Sequence, residues 1–294
     1  MSSRIDPMDS SFVRLLAGSL LSAGLMAGCV GAGGEPSPTA PGPSGSSWAS
    51  GFYLRAWRAQ ALAPRYAFGW LPNVTISDGQ YINGVVAVPA IYPGPIYVGL
   101  SARSISARGI DDIVAEARRD GLLGAESDFP EGVMPRTGSI TAHVQLVVDG
   151  VAYELTGALP TGLRLASAPP GSSAAFASFW SRLEMLDAWL ATELGPSSPY
   201  TPTRIAAMLT SPTEANGGIA PNETPWPLAS TVAAFGQPYG GSVYRCATVT
   251  GTDLATLLPV IKTSNQLTRF VDSTGAKASL QARVLVPGES GPCA

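Results

Sequence analysis

Apolar and polar residues alternate most clearly in Ser139–Gly157, SITAHVQLVVDGVAYELTG. Ile140, Ala142, Val144, Leu146 and Val148 share one face, Asp149-Gly150 offers a turn, and Val151, Tyr153 and Leu155 return. A period of two on both sides of Asp-Gly predicts a β-hairpin. Phe52–Gln60 reads as another strand, and Val74–Ser77 with Gln80–Ile82 as a hairpin around Asp78-Gly79. Ile96–Leu100 reads as a short strand after the loop Pro93-Gly94-Pro95.

The period changes to that of a helix at Ser106–Asp120, where Ile110, Ile113, Val114 and Ala117 form one apolar stripe. Ser106 suits the N-cap and Gly121 the left-handed position that ends a helix. Ser173–Leu194 predicts one long helix stopped by Gly195-Pro196, with Phe176, Phe179, Trp180, Leu183, Leu190 and Leu194 facing a core. Residues 196–241 are rich in Pro, Gly, Ser and Thr, with one candidate strand at Arg204–Leu209, and read as a linker or wrapping segment in which Trp226 plugs a surface hollow. The pattern then restarts: Val243–Thr250 as a strand, Asp253–Lys262 as a helix kinked or shortened by Pro259, and Leu267–Val271 with Ala278–Val286 as a hairpin around Thr274-Gly275.

Strand, helix and hairpin thus occur in that order twice, at 96–157 and at 243–286. A duplication is one hypothesis for this, although residue identity between the copies is negligible. The fold class expected is α+β: a mostly antiparallel sheet built from hairpins with helices packed on one face. The expected organisation is an α+β domain at 49–195, the segment 196–241, and a smaller strand–helix–hairpin unit at 242–294 that either stands alone or shares the first core.

The first 48 residues follow neither period. Leu15–Gly28, LLAGSLLSAGLMAG, is uncharged and its 14 residues are too few to span a hydrocarbon core. With Arg14 before it and small residues at its end, it fits the apolar region of a secretory signal over residues 1–28. Gly31–Ser47 is dominated by Gly, Pro, Ser and Ala, with Glu35 as its sole charge, a composition that cannot offset its own ordering entropy. Residues 29–48 therefore read as a flexible tether.

Leu25-Met26-Ala27-Gly28-Cys29 resembles the lipobox of bacterial lipoproteins, with Met26 where that family usually has Leu. The resemblance implies that the Cys29 thiol carries diacylglycerol, that the chain is cut just before it, and that the folded part is held on the extracytoplasmic side of a membrane. Residues 51–290 are also similar to a group of uncharacterised lipoproteins from high-GC bacteria, through FGWLP (Phe68–Pro72), YPGP (Tyr92–Pro95), EARRDGLL (Glu116–Leu123), VDGVAYELTG (Val148–Gly157) and RCATVTGTDLATLLP (Arg245–Pro259). That similarity implies export and a shared fold, and brings no activity.

Composition agrees with export. Charged residues make up 13% of the chain, against about 25% in an average domain. The net charge is −3 and no Lys/Arg run is present, so nucleic acid is not an expected partner. The cysteines are Cys29, Cys246 and Cys293. With Cys29 lipidated, Cys246 and Cys293 remain to form a bridge; the alternative is a buried Cys246 thiol and a frayed Cys293.

Candidate chemistry is sparse. His143 is the sole histidine, and its strand neighbours Thr141 and Gln145 place it on a polar, solvent-facing side. A Ser-His-Asp triad would have to use it, yet no G-x-S-x-G elbow is present. No phosphate-binding or dinucleotide-type glycine pattern and no C-x-x-C occurs, so no cofactor is expected. In GAESDFPEG (Gly124–Gly132), Glu126, Asp128 and Glu131 are weak candidates for Ca²⁺ ligands, at spacings unlike those of an EF-hand; the alternative is a solvated loop.

The expectation is a non-catalytic, membrane-anchored lipoprotein whose partners are the bilayer, through Cys29, and a protein or small-molecule ligand in the cell envelope. An envelope hydrolase is the first alternative, and two close, buried carboxylates in the largest pocket would mark it. An inhibitor-like or structural domain is the second.

Overall fold

The computed structural model describes residues 51–59, 68–85, 91–124, 128–129, 140–159, 169–215, 218–240 and 242–293, all within one compact unit, Pro41–Ala294. Among them the fold is α+β, with two largely antiparallel sheets. The signal and tether expected at residues 1–48 lie outside the described residues.

The first sheet is built from β1 (Phe52–Ala59), β2 (Val74–Ser77), β3 (Gln80–Asn83), β4 (Ser101–Ser104), β5 (Asp128–Phe129), β6 (Ile140–Val148), β7 (Val151–Leu159) and β8 (Ser198–Pro199). Its order is β5-β7-β6-β1-β2-β3-β4-β8. Both expected Asp-Gly hairpins form. Asp78 and Gly79 have φ of 51° and 70°, and Asp149 and Gly150 have 52° and 78°, so both residues of each turn take the positive φ that twist-matched hairpins require. Ile96–Leu100 is not a strand. Its Ile96 N–H goes to the Ser264 carbonyl and its Leu100 carbonyl takes the Tyr200 N–H, while Tyr97 and Leu100 are buried in a core. Pairing resumes at β4, whose sequence SARS gives no alternation to recognise it by.

Helix α1 (Ala107–Arg119) starts where expected: Ser106 Oγ accepts from the Gly109 N–H at 3.1 Å, and Gly121 has φ 69°. Helix α2 (Ser173–Glu184) is capped by Ser172, whose Oγ accepts from the Ala175 N–H at 3.2 Å. The single long helix expected to reach Leu194 is broken at Met185 and followed by one turn, α3 (Leu186–Trp189). A continuous helix would set Asp187 on the apolar stripe, four residues after Leu183. The break gives that place to Leu186 and sends Asp187 to Arg103 Nη1 at 2.7 Å.

The stripe of α2 lies on one face of the first sheet. Phe176, Phe179 and Trp180 are at most 1% exposed and pack with Leu54, Ile76, Val144 and Leu146. Contact is close because β7 offers Gly157: a Cβ there would meet the Phe176 ring at 2.4 Å. Buried Glu116 of α1 takes Arg182 of α2 at 2.6 Å and Arg119 of its own helix, which ties the two helices together.

The second sheet runs β10-β13-β14-β9-β12-β11. Its members are β9 (Arg204–Thr210), β10 (Asn222–Pro225), β11 (Gln237–Pro238), β12 (Arg245–Thr250), β13 (Thr268–Val271) and β14 (Lys277–Val284). The described residues of 196–241 thus hold four strands, β8 to β11, and β9 sits between β14 and β12 with Ile205 to Leu209 all buried. Trp226 is no surface plug: it stands edge-on to Phe235 and Phe270, and its Nε1 donates to the Ser230 carbonyl at 2.7 Å.

Helix α4 (Gly251–Thr263) continues past Pro259 and is not shortened by it. Pro259 lies on the exposed side, where the carbonyl deprived of its partner is open to solvent, while Leu254, Leu257 and Ile261 face inward. One face of this sheet packs on α4 and on Ile82 and Ala102 from the back of the first sheet. The two parts therefore share a core.

The repeated order of elements is not a repeated topology. In the first sheet the leading strand of the hairpin, β6, lies beside β1; in the second the trailing strand, β14, lies beside β9.

Candidate functional site

Two loops rich in aromatic residues and proline converge on β14. Phe68 and Leu71 come from the segment that leads into β2, and Tyr92, Ile96 and Val98 from the segment that replaces the expected strand. The Tyr92–Pro93 peptide bond is cis. Gln266 fixes the second loop: its N–H donates to the Gly94 carbonyl at 2.9 Å and its Oε1 accepts from the Gly94 N–H at 3.2 Å. A Cβ on Gly94 would come within 3.3 Å of the Gln266 amide, so glycine allows this seating.

Between these loops and Ser279–Arg283 of β14 lies a cavity of about 520 Å³. Its volume and apolar walls suit a bound ligand. Ile91 and Tyr92, in the second loop, are 63% and 49% exposed. A second cavity of about 360 Å³ is lined by Trp70, Asn73, Gly84 and Arg58 and shares Gly69 and Leu71 with the first.

Arg283 is the charged group of the larger site. It is 7% exposed; Nη2 donates to Glu289 Oε1 at 2.6 Å and Nη1 to the Val284 carbonyl at 3.1 Å. Its Nε has no partner. Glu289 balances the charge, so the site is nearly neutral and offers one spare buried donor. Ser279 Oγ is engaged by Thr213, from its N–H at 2.9 Å and its hydroxyl at 2.8 Å. No carboxylate is among the described residues that line the cavity.

The residues singled out from sequence lie elsewhere. Cys246 of β12 and Cys293 are joined by a disulfide, with Cα atoms 5.2 Å apart. Gln237 Nε2 donates to the Cys293 carbonyl at 2.8 Å, which further fixes the C-terminal segment. Cys29, Glu126 and Glu131 lie outside the described residues. Asp128 is exposed and belongs to β5, opposite Thr156, rather than to an irregular loop. Among the described residues no cluster of three or more His, Cys, Asp and Glu side chains is placed to hold a metal.

His143 is not solvent-facing as expected. Its ring is half-buried and stacks on Trp57 at 5.2 Å and 11°, with Arg55 4.7 Å from the same indole. Nδ1 is 3.2 Å from Thr156 Oγ1, and burial pulls the imidazole below its ordinary pKa of 6.5. The polar alternation around it was misleading because this back face of the sheet is partly covered. Tyr53 Oη donates to the Pro287 carbonyl at 3.0 Å and Arg55 Nη1 to the Gly288 carbonyl at 3.2 Å, as the chain after β14 crosses there.

Sequence reading missed the cavity residues. FGWLP and YPGP stand out only for their similarity to a group of lipoproteins, and nothing in the sequence joins them to a strand some 200 residues later. No family model, curated protein or solved structure matches the chain.

Proposed function

We propose that the protein is a lipid-anchored lipoprotein of the cell envelope whose α+β domain binds a ligand and catalyses no reaction. The cavity of about 520 Å³ carries the binding reading: Phe68, Leu71, Ile96 and Val98 give it an apolar wall, and Thr210, Gln266, Ser279, Gln281 and Arg283 add polar groups beside it. The absence of a carboxylate from its described lining speaks for binding over hydrolysis by paired acids. The seating of His143 between Trp57 and Thr156, away from the cavity, supports the same choice. Export is supported by the disulfide, which belongs to oxidising compartments, and by Leu15–Cys29.

Both parts are tested on the full-length chain. Val98→Trp fills the cavity, and the fluorescence enhancement of 8-anilinonaphthalene sulfonate by the wild type should fall at least tenfold in affinity; equal affinity in both proteins refutes the site. Cys29→Ser should move the protein from the membrane fraction to the soluble one, and mass spectrometry should find diacylglycerol on wild-type Cys29. An unmodified Cys29 in the mature protein refutes the anchor.

A further inference from the structure

We propose that the cavity takes a short extended peptide, which adds to the open edge of β14 as an extra strand. This rests on the reading of the cavity as a binding site and specifies its ligand.

The first observation is which residues line the cavity. Ser279, Leu280, Gln281, Ala282 and Arg283 all do so. Successive side chains of a strand point to opposite faces, so a cavity over one face would meet every second residue. A cavity that meets all five lies along the strand's edge.

The second is the pairing of that edge. On one side β14 pairs with β9 continuously, from Ser279↔Thr210 to Val284↔Ile205. On the other, its ladder with β13 consists of Phe270↔Ala278 and Val271↔Lys277 and then stops. Among the described residues no strand pairs with that side beyond Ala278.

The third is the direction of the main-chain groups. The Leu285 N–H donates to the Arg204 carbonyl at 3.1 Å, on the β9 side, and the Asp272 N–H donates to the Ala276 carbonyl at 3.0 Å, on the β13 side. Groups alternate along an antiparallel strand. Those of Ser279, Gln281 and Arg283 therefore face β9, and those of Leu280 and Ala282 face the cavity. The open edge ends at Val284, whose carbonyl takes Arg283 Nη1.

An acyl chain would fill the apolar wall and leave these main-chain groups without partners, at a cost. An added peptide strand supplies N–H and C=O groups at the required spacing as well as side chains. Those side chains alternate between the two faces of the sheet. One set meets Leu71 and Ile96; the other meets Gln281, exposed, and Arg283 with its unpartnered Nε. The ligand is accordingly a segment of alternating apolar and polar residues.

The test is selection of random heptapeptides, displayed on phage, against the full-length wild-type protein, with counter-selection on Val98→Trp. A selected peptide is then made with alternate backbone amides N-methylated, in both registers. Methylation in one register should weaken binding at least tenfold, and Ala282→Pro, which removes an N–H that β9 does not use, should do the same. Amides of Leu280 and Ala282 should gain hydrogen-exchange protection in the complex.

If both methylated peptides bind as tightly as the parent, strand addition is wrong whatever the behaviour of the proline variant. If no peptide is selected while the sulfonate dye still distinguishes wild type from Val98→Trp, the peptide proposal falls and the cavity remains a binding site. If the dye fails as well, both fall.

Discussion

Burial of the His143 ring against Trp57 removes the hydration that its charged form needs, and this outweighs the attraction of Glu154, which acts in the opposite direction. The folded-state pKa is therefore below 6.5, the ordinary and unfolded value. Between these two pH values the unfolded chain binds more protons than the folded one, so stability rises with pH through that window. The contribution is complete above 6.5 and is lost as the pH falls through the folded pKa. Since His143 is the sole histidine, one imidazole resonance reports it without assignment. It should titrate with a midpoint below 6.5 in the folded protein and near 6.5 in urea. In His143→Gln the dependence of Tm on pH just below 6.5 should flatten; an unchanged slope would show that other groups produce it.

At the scale of elements, local chemistry decided where α1 and α2 begin and where α1 ends, and a tertiary demand decided where α2 ends. Ser106 caps α1 through the Gly109 N–H and also donates to Glu193, so it joins the helix to the segment after α3. Ser106→Ala should cost about 1 kcal/mol from the cap. It should be read as a lower urea midpoint with an unchanged slope, and a midpoint equal to wild type would show that the cap is dispensable. The break at Met185 had no signal in composition; it is set by Asp187, which the core rejects and Arg103 accepts. Pro259 illustrates the reverse. Its ring sits on the solvent side of α4, so a residue that usually ends a helix is tolerated.

For the whole molecule the Cys246–Cys293 bond is the main covalent constraint. It ties the C-terminal segment, which crosses the back of the first sheet at Tyr53 and Arg55, to β12 of the second. Tyr53 is pushed up to about 12 by burial beneath that crossing. The bond closes a loop with a sequence separation of 47, for which chain entropy gives up to about 4 kcal/mol. Cys293→Ser should lower the denaturant midpoint by a corresponding amount and raise exchange at the Tyr53 and Arg55 contacts. Intact mass should rise by two hydrogens on reduction of the wild type; no change would leave both thiols free.

The hairpins at Asp78-Gly79 and Asp149-Gly150, the cap and stripe of α1, the apolar face of α2 and the candidate cysteine pair were legible in the amino-acid order. Each depends on spacing of two to four residues, on turn chemistry, or on a count. The central place of β9, the strand SARS, the covered back face that holds His143, and the cavity were decided only by the tertiary structure. Each arises from contacts between segments far apart in the chain. Phe68, Tyr92 and Arg283 carry no shared local pattern, and their meeting at one strand edge follows from how two sheets with a common core are closed.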